Sequence, residues 1–311
     1  MSLHAVLPAR LSEEIARRKL WPVLPRRRIA PPAGPPVLAL SFDLDYQADT
    51  DALPALTDLV DAAGAKMTLF AIGKLAQADP AAYADAHARG HEIANHTWSH
   101  PDNPVLNPDR EFWHLSEDEM ADEIARGQDA LAAITGTRPV GFRTPHFKDA
   151  APLRAALRRF PEIRYASSSL ASRCPAPVPF VPEAAPRHGD QSLNFPSASP
   201  APNDLLMIPL TPCPGVRWSP FSSYLSIRRP ANPAKGAGLH DLDKFETLWR
   251  RMLDEERPRG FASVYFDPLD VMRDADTVAV FRRMLDHARD AGWHLTTLAE
   301  VERLWRPVAA P

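Results

Sequence analysis

Cysteine is scarce: 311 residues contain two, Cys174 and Cys213, each beside proline. A disulfide-stapled scaffold needs more, so a reducing compartment is expected. Long apolar runs are missing as well, so no membrane span is expected. The first stretch, MSLHAVLPARLSEEIARRKLWPVLPRRRIAPPAGPP, interrupts its apolar residues with early acids, unlike a secretory leader. A cytoplasmic protein is therefore expected. Charge of one sign is also lacking. The net charge is −3 and no basic block alternates with aromatics, which argues against nucleic acid or an anionic membrane as partner. No internal repeat is visible. What the chain has in excess is proline, 34 residues, about twice the usual share, which suits long ordered loops.

After PPAGPP at 31–36, apolar runs alternate with helical patterns. Residues 37–43 (VLALSFD), 66–73 (KMTLFAIG) and 91–96 (HEIANH) read as strands, followed by 139–143, 163–170, 204–210, 261–266 and 293–298. Helical patterns cover 51–63, 80–90, 116–136, 151–160, 240–257 and 275–291. The strongest of them, 116–136, opens with Ser116 and Glu119 as a capping box and ends before Gly136. Proline-rich stretches near 171–203 and 211–236 interrupt the rhythm as loop insertions. Roughly seven to eight strands alternating with helices predict an α/β fold, a parallel sheet covered on its faces. A single domain is expected over 37–305, preceded by an N-terminal extension and proline-rich linker at 1–36.

Polar residues interrupt these strands at one end only. Asp43 and Asp45 end the first, His96 and His100 follow the third, Arg143 and His146 follow the fourth, and Asp267 and Asp270 follow 261–266. In parallel α/β folds the carboxyl ends of strands form the mouth where chemistry is done. Two imidazoles and a carboxylate make a familiar catalytic zinc set. Such a cation acidifies water and polarises a carbonyl, which suits amide or ester hydrolysis. One aspartate would then hold metal and the other take a proton, with an arginine keeping the base ionised. Backbone N–H groups in RTPHF would receive a developing oxyanion. The aspartate pair reads equally as caps for a helix beginning near Asp51. His87, His91, His114, His188, His240, His287 and His294 show no comparable arrangement, although His188 and His240 lie in the long loops.

SFDLD (41–45), HTWSH (96–100) and RTPHF (143–147) together resemble the NodB-homology domain of the polysaccharide deacetylases, carbohydrate esterase family 4. The resemblance covers about residues 37–300 and implies a distorted parallel (β/α) barrel. It is similar to the branch containing some peptidoglycan deacetylases and cyclic-amide hydrolases. It implies Asp43 as catalytic base, Asp45, His96 and His100 as ligands of a divalent metal, zinc above all, and Arg143 as the residue orienting the base. His146 stands where the family carries tyrosine, in the turn implied to supply an oxyanion donor. RYASSS (164–169) lacks an aspartate that would help hold the arginine. Asp267 occupies the place of a histidine implied to be the general acid.

The expected activity is metal-dependent deacetylation, hydrolysis of an N-acyl, especially N-acetyl, group on an amino sugar or glycoconjugate. The partner is then a small-molecule or glycan substrate. Two alternatives stay open: a hydrolase of a non-sugar or cyclic amide, and a metal- or carbohydrate-binding homologue impaired by Asp267. Phe180, Trp218, Phe221 and Tyr224 are candidates for a lid that stacks on a ring, or for packing at the barrel mouth. Oligomeric state is not legible.

Overall fold

Eight consecutive buried residues, Val37–Leu44, form β1 at the centre of the fold. Burial on both faces is what a near-continuous apolar run predicts for a parallel strand. A computed structural model describes residues 33–147, 151–168, 178–179, 205–224, 227 and 241–305. The extension at 1–32, Cys174, Phe180, His188, His240 and most of the two proline-rich stretches lie outside the described residues, as does the side chain of Trp218.

The strands after β1 are β2 (Thr68–Ala71), β3 (Glu92–Asn95), β4 (Gly141–Phe142), β5 (Tyr165–Ala166), β6 (Val178–Pro179) and β7 (Leu206–Met207). They continue with β8 (Pro212–Cys213), β9 (Val216–Pro220), β10 (Phe261–Phe266) and β11 (His294–Thr296). The main sheet is nine-stranded, in the order β10-β1-β2-β3-β4-β5-β7-β6, with β11 also on β1. Every pairing in it is parallel except β6 with β7. β8 and β9 form a separate antiparallel pair. The sheet curls into the distorted (β/α) barrel expected. Seven of its strands fall inside predicted runs, β1 runs one residue past its own to Leu44, and β6 adds a ninth.

Helices cover the sheet, and their bounds depart from expectation in three places. The first helix spans Gln47–Ala62, earlier than 51, because the Asp49 carboxylate accepts the Tyr46 N–H at 3.0 Å and starts it there. A short helix, Gly73–Ala78, occupies residues read partly as strand, and Leu298–Trp305 begins where strand was expected. The Glu117–Thr135 helix follows its sequence signals. Ser116 and Glu119 cap it reciprocally, and Gly136 ends it at φ 77°.

The main core lies between β1, β2, β10 and the outer helices. Phe221, a candidate lid residue, is fully buried there and stacks on Phe245 at 5.3 Å. It is core packing. Tyr224 is exposed. Among the described residues, no helix is long and apolar enough to cross a membrane.

Helix and sheet meet closely at Gly127. A Cβ there would lie 2.5 Å from Asn95 Oδ1, whose carboxamide Nδ2 donates to the Ile124 carbonyl at 3.0 Å. Propensity alone would make Gly127→Ala stabilising by about 1 kcal/mol. Overpacking against Asn95 should reverse the sign, giving a net loss of about 1–3 kcal/mol in urea unfolding. A gain in stability would show that Asn95 yields freely.

Candidate active site

The ends of β1, β3, β4, β5 and β10 converge on one mouth. Asp43 is the seventh residue of β1 and Asp45 lies just beyond it. His96 follows β3 directly, and Arg143 follows β4. Parallel register puts Ser41 opposite Tyr265 and Phe42 opposite Phe266, so Asp267 comes next, beside Asp43. Alternation along the two strands then sets Ser41, Asp43, Tyr265 and Asp267 on one face.

Arg143 is the hub, with no exposed surface. Its Nη1 donates to Asp43 Oδ1, Nη2 to Ser41 Oγ at 2.9 Å and Ser167 Oγ at 3.0 Å, and Nε to the Ser167 carbonyl at 3.0 Å. Ser41 passes its own proton to the Val264 carbonyl at 2.7 Å, leaving its oxygen to accept. The guanidinium lies 3.9 Å from the centre of the Phe70 ring, with Phe147 and Tyr265 farther round it. Ser167 thus meets the guanidinium with both its carbonyl and its hydroxyl.

Burial raises the Asp43 carboxyl above its ordinary range even though Arg143 opposes this. For Asp45 the balance is reversed. Burial raises it, but His100 and His96 together hold it well below the usual range. Burial, reinforced by His96 and His146, pushes His100 down to about 3. His96 is held above its usual value because Asp45 and Asp43 outweigh its burial.

Asp45, His96 and His100 each offer a ligand atom, and these atoms lie within 4.8 Å of one another. Both imidazole Nε2 atoms face Asp45 Oδ1, at 3.4 and 3.7 Å. That oxygen is buried and makes no hydrogen bond. Three donors converging on a point that none of them satisfies is the geometry a cation completes, and the N₂O donor set suits zinc. His96 Nδ1 lies 2.8 Å from the Arg143 carbonyl, an outer contact that fixes the tautomer of a ligand imidazole.

The remaining expected residues lie around this centre. His146 is exposed at the rim. Its ring lies 5.2 Å from that of His100 and 5.9 Å from that of Trp113, and its Nε2 is 3.3 Å from Asp102 Oδ2. Asp267 is buried, and its N–H donates to Ser223 Oγ at 2.8 Å. Burial first, then the charges of Asp267 and Asp43, raise the Tyr265 hydroxyl well above its ordinary value. Tyr265, Ser41 and Ser167 carry no spacing signal. Only strand register makes them neighbours.

Positive φ marks the same mouth. Among the described residues, Thr97, His100, Asp102, His146 and Phe147 are the non-glycine residues that adopt it. Each costs on the order of 1 kcal/mol or more, and such strain gathers where geometry serves a site.

Residues 30–161 match the family model described as polysaccharide deacetylase. Over that stretch, which carries Asp43, Asp45, His96, His100, Arg143 and His146, the chain is similar to the polysaccharide deacetylase family. A peptidoglycan-N-acetylglucosamine deacetylase from Bacillus cereus is 29% identical over 109 residues, 35% of this chain. The match spans only 36% of that relative's length. The fold extends further than the sequence likeness. A protein assigned as a polysaccharide deacetylase from Mycobacterium smegmatis superimposes with a TM-score of 0.66 at 16% identity, covering 92% of this chain and 99% of the other. An allantoinase structure gives 0.63 at 15% identity, covering 91% and 97%.

Removing Arg143 would strand a buried carboxylate. Arg143→Met should destabilise the protein by about 3–5 kcal/mol at neutral pH in chemical unfolding. Adding Asp43→Asn should recover part of that loss. A double-variant loss equal to the sum of the Arg143→Met and Asp43→Asn losses would show that the pair is not coupled.

Proposed function

We propose that this chain is a divalent-metal-dependent hydrolase, with zinc as the metal, that removes an N-acyl group from an amino sugar or glycoconjugate, N-acetyl being the favoured case. The observation that carries the reading is the pairing of the Asp45–His96–His100 cluster with the Asp43–Arg143 pair at one strand-end mouth. We infer a single catalytic domain over 37–305.

A divalent cation held by Asp45, His96 and His100 supplies Lewis acidity towards water and the scissile carbonyl. Asp43 takes the proton of the attacking water at its carboxylate. Arg143 orients that carboxylate through a charge-assisted hydrogen bond and limits how far burial can neutralise it. The backbone at His146 borders the position where oxyanion charge develops. Asp267, buried just past the end of β10, would return a proton to the departing nitrogen.

A second reading, opening of a cyclic imide or ureide, is favoured by Asp267 itself. A nitrogen conjugated to another carbonyl leaves more easily than an alkylamine and demands less of its acid. A carboxyl group there fits such a leaving group better than it fits a sugar amine.

Acetate or formate release from a panel of N-acyl amino sugars, with ring-opening of cyclic amides followed alongside, separates the readings. Asp43→Asn should lower kcat by about 10²–10⁴-fold with bound metal unchanged. Metal uptake with no product from any substrate would support the binding-protein alternative. Loss of metal together with activity would contradict the division of labour between the two aspartates.

A further inference from the structure

Asp45 is the least enclosed of the three proposed ligands: its side chain is 23% exposed, against 2% and 3% for His96 and His100. It also lies beyond the end of β1, so no strand pairing holds it. Its backbone is held instead by two buried side chains. Asp49 Oδ2 accepts from the N–H groups of Asp45 at 3.1 Å and Tyr46 at 3.0 Å. Asn103 Nδ2 donates to the Asp45 carbonyl at 2.8 Å. The other oxygen of Asp49 accepts from the Leu269 N–H at 2.9 Å. Asp49 and Asn103 are almost wholly buried, at 0% and 1% exposure.

An acid in the first turn of a helix ordinarily serves the helix, and the bond to the Tyr46 N–H fits that role. The bonds to Asp45 and Leu269 do not. Leu269 belongs to the short helix Pro268–Val271 that directly follows Asp267. One carboxylate therefore ties the turn carrying Asp45 to the segment carrying Asp267, across 220 residues of sequence.

We propose that Asp49, together with Asn103, is a positioning residue for the cation site, clamping the Asp45 peptide and locking it to the segment after Asp267. The proposal rests on the metal-site reading above. Its chemistry is restrictive. A carboxylate offers acceptors on both oxygens, whereas an amide offers one oxygen and turns an NH₂ towards the other N–H groups. Asp49→Asn must give up either the Asp45–Tyr46 side or the Leu269 side of the clamp. Asn103→Ala releases the Asp45 carbonyl without touching the helix, and it also frees the Val105 and Leu106 N–H groups from which Asn103 Oδ1 accepts.

The test titrates zinc into the metal-free full-length chain by calorimetry, with circular dichroism to establish folding. Asp49→Asn and Asn103→Ala should each bind zinc about tenfold or more weakly than the unaltered chain, the scale of losing an outer support of a ligand. Thr57→Ala is the control. It removes the bond from Thr57 Oγ1 to the Leu53 carbonyl in the same helix, away from the turn, and should keep full affinity. Folded variants that bind zinc as tightly as the unaltered chain would overturn the clamp. If Asp49→Asn does not fold, Asn103→Ala decides the question alone. An unaltered chain that binds no divalent cation would overturn the metal-site reading itself, a distinguishable failure.

Discussion

The site depends on a guanidinium buried inside a sheet. Arg143 is reached by Asp43 and Ser41 from β1 and by Ser167 from the end of β5, so two segments must arrive in register with the end of β4 to solvate one cation. Burying that charge without such partners would cost several kcal/mol. The fold meets the requirement by stacking parallel strands so that their carboxyl ends finish at the same level. Asp43 is thereby fixed in an orientation that the core itself maintains.

Around this rigid pair the segments carrying His100 and His146 are loops, and they are held under strain. His100 and its neighbours Thr97 and Asp102 take positive φ, as do His146 and Phe147 across the mouth. Buried hydrogen bonds hold the first loop in place. The Glu123 carboxylate accepts from the N–H and hydroxyl of Ser99 at 2.9 and 2.8 Å. Asn95 Oδ1 accepts from the Thr97 N–H at 2.8 Å, and Thr97 Oγ1 from the His100 N–H at 2.9 Å. The imidazoles are presented by a turn that is strained locally and over-determined by its surroundings. Rigid pair and strained loop together account for a compact donor cluster built from residues far apart in sequence.

Much of this was legible in the sequence, and the reasons differ by element. Long apolar runs such as residues 37–43 and 261–266 announced central strands because both faces are covered. Ser116, Glu119 and Gly136 bounded their helix because caps and left-handed glycine are local chemistry. Two-residue strands in proline-rich stretches, such as Val178–Pro179, have no pattern long enough to read. Asp43, Asp45, His96, His100, Arg143 and Asp267 were visible because chemically loaded residues recurred at strand ends. Ser41, Ser167 and Asn103 were not, since their importance comes from a register and a hydrogen-bond partner that spacing does not encode. Asp49 carries no sequence signal for its second role, which comes from the Leu269 N–H on its other oxygen.

The central claim is that Asp45, His96 and His100 form one cation site beside Asp43. X-ray absorption at the zinc edge of the metal-loaded chain tests it directly. The account predicts two imidazole nitrogens at about 2.0–2.1 Å with oxygen at about 2.0–2.2 Å completing the shell, and the loss of one imidazole in His96→Ala. A sulfur-containing shell, or a spectrum unchanged by His96→Ala, would contradict it.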